Sequence, residues 1–258
     1  MSIDSDKPLL AFENLWVYGR RAVSMSDNEA TTGTRANAFT LQKIYQNWSD
    51  KLKNNTTPDD RTTHNSALIS GASGELHSGQ ITVLTGAFGS GKSVLLRVLA
   101  GLLPMSAGVI LLQSSSAPIG SNSIEIIEPT EWRKQVALLA QHPQLMEGRV
   151  LDNLKMPYQL QAHQSQSFDI DWHITQLETL NRNAGFLQQD AYHLSGGERQ
   201  LVNTLRLLQL NPRVLLLDEP TAALDVDTSA QLVTLLMSWL QANKQRTLLW
   251  VTHDTKDI

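Results

Sequence analysis

The chain of 258 residues has no cysteine, which excludes disulfides, thiolate metal sites and cysteine nucleophiles, and it is long enough for one large domain whose core needs no staples. A net charge of −4 argues against a broad nucleic-acid footprint, although a local basic patch stays possible. The longest apolar run, Val94 to Met105, is interrupted by Arg97, Gly101 and Pro104 and falls short of the roughly 18 residues of a membrane-spanning helix. The N-terminus, Met-Ser-Ile-Asp-Ser-Asp-Lys, lacks the basic and apolar regions of a secretory signal, so the expectation is a soluble, cytosolic chain.

In chain order, Leu9–Tyr18 is apolar and aromatic enough for a strand. From Gly19 to Ser66 the composition turns polar, as in Thr31-Thr32-Gly33-Thr34 and Asn54-Asn55-Thr56-Thr57-Pro58-Asp59-Asp60. This predicts a long insertion over 19–66, mostly loop or disordered. Inside it Leu41, Ile44, Tyr45, Trp48 and Leu52 share one face of a helix that Thr40 would cap. Such a stripe packs on its own domain or docks on a partner or membrane; its lysines form no dense basic cluster, which favours packing. Ala67–Ile69 follows as a strand.

Ile81–Thr85 is a β-branched and apolar run that reads as a buried strand. A Gly-rich turn, Gly86-Ala87-Phe88-Gly89-Ser90-Gly91, leads through Lys92 and Ser93 into an apolar-periodic helix reaching about Gly101. This is G-x-x-x-x-G-K-S between a strand and a helix, the setting a phosphate-binding loop requires. Gly86, Gly89 and Gly91 permit left-handed dihedrals and let backbone N–H groups approach phosphate oxygens. The helix start behind them adds unpaired donors and a partial positive charge. Lys92 would pair with the β- and γ-phosphates, and the Ser93 hydroxyl would ligate Mg²⁺. An ordinary Gly-rich turn accounts for the glycines alone, but not for strand, spacing, Lys-Ser and helix together.

Gly108–Gln113 predicts a strand, Ser114–Ser123 a Ser-rich turn, and Ile124–Ile127 another short strand. Val136–Ala140 is an apolar run closed by Gln141-His142-Pro143. Met146 to about Gly185 reads as helix-rich, with breaks at Pro157 and Ser165-Gln166-Ser167. A helix spans Ser195 to about Leu210, Val214–Leu217 is a fully buried strand, Ser229–Asn243 an amphipathic helix, and Thr247–Thr252 the last strand. Strands alternating with helices predict a parallel sheet flanked by helices.

Asp218 and Glu219 end the Val214–Leu217 strand, where open α/β sheets bind their ligands. Asp218 suits Mg²⁺, and Glu219 is free to polarise an attacking water as general base. Taken alone, two solvated carboxylates at a strand end are common; behind a phosphate loop they gain meaning. In Leu194-Ser195-Gly196-Gly197-Glu198, Ser195 and Glu198 have capping-box spacing. That leaves the two glycines unexplained, and they expose N–H groups at a helix start suited to an anion.

Phosphate loop, Gln141, Leu194-Ser195-Gly196-Gly197-Glu198, Leu217-Asp218-Glu219-Pro220, Ala223-Leu224-Asp225 and His253 stand in the order of the ATP-binding cassette (ABC) ATPases. The sequence resembles that family over Leu9–Tyr18 and from Ser66 onward. The resemblance implies a single ABC ATP-binding domain over 1–258, with a RecA-like parallel sheet core of the P-loop NTPase fold. An antiparallel β subdomain and a helical subdomain inserted over 142–194 would complete it. It also implies a head-to-tail homodimer or pseudo-dimer that sandwiches two ATP molecules, each between one subunit's phosphate loop and the other's Ser195, Gly196, Gly197 and Glu198. Gln141 would reach Mg²⁺ and the attacking water, Asp225 would lie at the dimer interface, and His253 would contact the γ-phosphate. Tyr18 matches the aromatic that stacks on adenine. In isolation, Gln141 reads as a strand-end amide, His253 as a surface histidine, and Tyr18 as packing beside Trp16.

Within the family, Trp132–Leu160 and Leu248-Leu249-Trp250-Val251-Thr252-His253-Asp254 look most like ATP-binding subunits of iron-efflux-type bacterial exporters. The resemblance implies an ATPase peripheral on the cytoplasmic face of the inner membrane, driving a separate membrane permease that contacts Leu145–Tyr158, with no nucleic acid. The other readings are a non-transport ABC ATPase acting on nucleic acid or ribosomes, and a non-hydrolysing regulatory module. The single cassette, absence of sustained heptads and acidic balance speak against the first; intact Asp218-Glu219 and Ser195-Gly196-Gly197 speak against the second. The chain ends five residues after His253, which predicts an exposed flank next to the final strand.

Overall fold

The computed structural model describes residues 7–19, 67–113 and 122–253. The expected helical stripe at 41–52, nearly all of the polar insertion and most of the Ser-rich turn lie outside them. Seven strands and six α-helices occur among the described residues. They run β1 (Leu10–Tyr18), β2 (Ala67–Leu76), β3 (Ile81–Leu84), α1 (Lys92–Leu99), β4 (Ala107–Leu112), α2 (Pro129–Gln135), β5 (Val136–Leu139), α3 (Val150–Lys155), α4 (Ile170–Thr179), α5 (Gly196–Leu208), β6 (Val214–Asp218), α6 (Val226–Gln241) and β7 (Thr247–Val251). Short 3₁₀ turns fill the stretches between α3, α4 and α5.

The strands form two sheets. One is antiparallel with order β2-β1-β4; the other is parallel with order β3-β7-β6-β5. Side-chain alternation in the parallel sheet separates two cores. Leu215, Leu217, Leu248 and Trp250 face one, beneath α5 and α6 and the helical stretch. Val214, Leu216, Leu249 and Val251 face the other, together with α1 and the antiparallel sheet. This two-sided burial explains why β6 and β7 are continuous apolar runs rather than alternating ones.

Three expectations are corrected. Ile124–Ile127 is a turn: the backbone N–H groups of Ile126 and Ile127 both donate to the Ser123 carbonyl at 3.0 Å, leaving Ser123 alone to bridge Leu111. Among the described strands the final one is interior and not an edge, because crossover connections place β7 between β3 and β6, with all five of its residues buried. The parallel sheet's edges among the described strands are β3 and β5; β3 is therefore not the buried strand expected at Ile81–Thr85, none of its four residues is fully buried, and Val83 is 42% exposed. Helix α6 begins three residues earlier than its apolar period suggests, since Asp225 caps it by accepting from the Thr228 N–H. Pro157 falls in a 3₁₀ turn directly after α3, and residues 165–167 lie between the turn at Gln161–His163 and α4.

Candidate functional site

The carboxyl ends of four parallel strands converge on one place. β3 runs into the loop 86–91 and α1, β5 leads to Gln141, β6 ends at Asp218, and β7 leads to His253. Gly91 is the N-cap of α1 with φ +89°, and a Cβ there would stand 2.5 Å from the Leu68 carbonyl oxygen of β2. Both conformation and space therefore require glycine, and the antiparallel sheet abuts the loop at that point.

Within the loop, Lys92 is buried and turned back on its own backbone. Its Nζ donates to the Gly86 and Ala87 carbonyls at 2.7 and 2.8 Å, with Ser90 Oγ at 3.5 Å. The two carbonyls hold the ammonium against the loop's own backbone. Beside it, Ser93 Oγ donates to Asp218 Oδ1 at 3.0 Å, linking α1 to the end of β6.

Glu219 sits at the centre of a second set of bonds. Gln141 Nε2 donates to its Oε2 at 2.9 Å, and His253 Nε2 contacts Oε1. His253 Nδ1 lies 3.1 Å from the Gly86 carbonyl oxygen, so the imidazole spans from the loop to the carboxylate. Phe88 stacks on the same imidazole, with centroids 3.8 Å apart and planes at 21°. The Glu219 backbone is left-handed, φ +47°, a conformation that costs a non-glycine residue energy and persists when its surroundings enforce it.

Tyr18 is half-buried at the end of β1, paired with Ala67, next to the Leu68 carbonyl that meets Gly91. Its backbone N–H donates to Ser106 Oγ at 3.2 Å, and its ring lies 6.2 Å from that of Trp16. Both readings of this aromatic keep support: it neighbours the phosphate loop and it packs on Trp16.

Ser195–Glu198 is built differently. Ser195 Oγ accepts from the Glu198 N–H at 3.2 Å, and Glu198 Oε2 accepts from the Ser195 N–H at 3.0 Å, closing the capping box of α5. Arg182 Nε stands 3.7 Å from Glu198 Oε1. A Cβ on Gly196 would meet nothing, whereas one on Gly197 would come within 2.8 Å of Thr228 Cγ2. Thr228 is held in turn by Asp225, which accepts from its N–H at 2.9 Å and its hydroxyl at 2.8 Å. The Thr228 N–H chiefly holds the Asp225 carboxyl below its ordinary range.

The predicted residues thus fall into two groups. Gly86–Ser93, Gln141, Asp218, Glu219 and His253 are bonded together at the sheet ends, with Tyr18 alongside. Ser195–Glu198 and Asp225 meet one another through Thr228. Sequence reasoning missed Thr228, although its place three residues after Asp225 is a capping spacing. The Phe88–His253 stack joins positions far apart in the chain, and no local pattern announces it.

A strand, a glycine loop and a helix start, backed by a strand-end carboxylate bonded to the first hydroxyl of that helix, define a P-loop NTPase. The chain belongs to the ABC transporter family, whose model matches residues 69–222. It is an ATP-binding subunit of that family and an ATPase. It is 33% identical over 184 residues to the "Probable iron export ATP-binding protein FetA" of Escherichia coli K12, a match covering 71% of this chain and 76% of that protein. It is 36% identical over 187 residues to the taurine import ATP-binding protein TauB of Yersinia pestis bv. Antiqua, covering 71% of this chain and 66% of that one. In fold it is similar, at TM-score 0.67 and 18% identity, to an ATP-binding cassette solved as a dimer in a post-hydrolysis state bound to ADP and Pi. That match covers 96% of this chain and 89% of the other. The likeness to iron-efflux-type subunits read from Trp132–Leu160 and Leu248–Asp254 agrees with FetA standing among the relatives.

Proposed function

We propose that the chain powers a separate membrane permease by ATP-dependent pairing of two copies, with Glu219 as the general base of hydrolysis. The observation that carries this reading is the Glu219 carboxylate, held by Gln141 and His253 beside the phosphate loop. ATP enters the loop 86–93, whose N–H groups cradle its phosphates. Lys92 exchanges the Gly86 and Ala87 carbonyls for β- and γ-phosphate oxygens, so that its ammonium meets full negative charge in place of neutral carbonyl dipoles. Tyr18 offers adenine a stacking face, His253 contacts the γ-phosphate, and Glu219 takes the proton of the attacking water. Ser195, Gly196, Gly197 and Glu198 of the second copy cover the same ATP, and Asp225 lies at the seam.

The donor set fits Mg²⁺. Ser93 and Asp218 bring two hard oxygens to one point, and Gln141, whose amide nitrogen is bonded to Glu219, would supply its amide oxygen as a third donor. Among the described residues no group of three or more His, Cys, Asp or Glu gathers as a metal cage, so phosphates and water would complete the shell, as is usual for this ion. When bound, Mg²⁺ neutralises phosphate charge.

For the permease contact, the region 142–194 acts as a helical subdomain and Leu145–Tyr158 as its surface. Support comes from exposed Met146 and, just beyond, exposed Leu160. The turn at Gln161–His163 lies beside α2, whose Trp132 and Arg133 line an apolar cleft of about 400 Å³ together with Leu102 and Leu103. No helix of the described residues is long and apolar enough to cross a membrane, which suits a chain that works through a separate spanning partner.

Sedimentation of Glu219→Gln with and without ATP tests the pairing. A dimer that forms with ATP and dissociates without it is the expected result. A chain that stays monomeric with ATP, and whose wild-type turnover per protomer is independent of protein concentration, would remove the shared site.

A further inference from the structure

We propose that Phe88 is a positioning residue for hydrolysis: its ring clamps the His253 imidazole in the orientation that reaches Glu219. The inference rests on the reading of Glu219 and His253 as hydrolytic groups and adds to it a residue that touches neither the attacking water nor the scissile bond.

Phe88 is 84% exposed, so its side chain contributes little to either core. The contact the ring does make is with a histidine. Its face lies on the imidazole of His253 at 3.8 Å and 21°, close to parallel. The imidazole has two directed contacts in its own plane, Nδ1 toward the Gly86 carbonyl and Nε2 toward Glu219. Rotation of the ring about either side-chain torsion breaks both at once. Those in-plane contacts resist sliding within the plane, whereas a parallel ring against the face resists tilting out of it.

The clamp also ties His253 to the loop that receives phosphate. Gly86 O accepts from Lys92 Nζ and faces His253 Nδ1, and Phe88 is two residues on. Gly89 beside it takes φ +73° in open space, so the loop tip is shaped by its backbone and not by neighbours. Any change in the loop on nucleotide entry is therefore carried to the imidazole by two routes, one polar and one aromatic.

The test combines kinetics with NMR of the histidine ring protons, of which there are only seven sets to resolve. In nucleotide-free protein, Phe88→Ala should move the His253 ring protons downfield by removing the ring current above them. In turnover it should lower kcat by about two- to tenfold, the reach of one aromatic pair, with the ATP KM unchanged. Phe88→Tyr, which keeps the ring, should recover both the shift and kcat, while Phe88→Leu should behave as the alanine variant. In a His253→Ala background Phe88→Ala should cost nothing further. Unmoved His253 resonances, a loss confined to KM, or an undiminished loss without His253 would each overturn the clamp. If Glu219→Gln retains turnover, the underlying reading fails instead, whatever the resonances do.

Discussion

The phosphate-loop group is stitched across the sheet, whereas the Ser195–Glu198 group is held within helix starts. Ser93 and Asp218 lie 125 residues apart, Gln141 and Glu219 78, and His253 and Gly86 167. In the second group Ser195 binds Glu198 and Asp225 binds Thr228, each three residues away. The first group exists only once the parallel sheet has formed and its strand ends are in register. The second forms wherever its own turns of helix form; its two halves meet at the Gly197–Thr228 approach, and Arg182 stands beside Glu198. On the proposed pairing of two copies, the site gains from this division. Groups bonded across the sheet keep their geometry under load, and groups resting on separate helix starts can be presented to a partner without disturbing it.

The largest effect that would sharpen the contrast lies in the first group. Glu219→Gln keeps the shape of the side chain and removes its basicity, so ATP turnover should fall by roughly 10²–10⁴-fold while ATP binding persists. Near-normal turnover in a steady-state assay would take Glu219 out of its role. Lys92→Ala should instead act on binding, raising the ATP dissociation constant by about 10–100-fold, the value of a hydrogen bond to a charged group. Unchanged affinity by titration calorimetry would count against the phosphate-loop assignment. In the second group the expected effect is smaller and appears in stability. Ser195→Ala removes one side of the capping box and should cost about 1 kcal/mol, a fall of ~2–4 °C in Tm for a domain of this size. A loss several times greater would mean that Ser195 is tied into the fold as strongly as Ser93, and the distinction between the two groups would collapse.

The smallest effect concerns His173 on α4, beside the far end of α5. His173 is fully buried, with Nδ1 at 2.7 Å from the Asp169 carbonyl oxygen and its ring stacked on Phe168. Burial pushes its pKa below the ordinary 6.5, against the opposing influence of the Asp169 carbonyl and charge and of Gln209, the C-cap of α5. The folded protein therefore binds this proton less readily than the unfolded chain. Its contribution to stability is complete above about pH 6.5 and is lost as pH falls from there toward the depressed folded value. Urea unfolding at a series of pH values should show that decline, and His173→Gln should flatten it. An equally steep decline in the variant would assign the effect to other groups.

The legible parts of this molecule follow the same division. The strand–loop–helix around Gly86–Ser93, the capping box at Ser195 and the buried β6 are local patterns, and each appears close to where the chain predicts it. Ile124–Ile127 misled because two isoleucines and a spacing of two suit a strand as well as a turn. There the Ser123 carbonyl, a backbone group that no composition reveals, decides the matter. The order β3-β7-β6-β5 was equally hidden. It determines that β7 is interior, yet nothing within Thr247–Val251 distinguishes an interior strand from an edge one. The pairing of Gln141 and His253 on opposite oxygens of Glu219 depends on that same order, since it brings the ends of β5, β6 and β7 side by side.

The left-handed backbone at Glu219 has a consequence for how this position changes over generations. Glycine or asparagine would occupy φ +47° at lower cost, so a chain selected for stability alone would drift away from glutamate there. On the proposed role of Glu219 as general base, glutamate at that position serves hydrolysis and not stability. A copy of this chain released from the need to hydrolyse ATP would show it first at residue 219, as a sturdier protein that binds nucleotide and no longer turns it over.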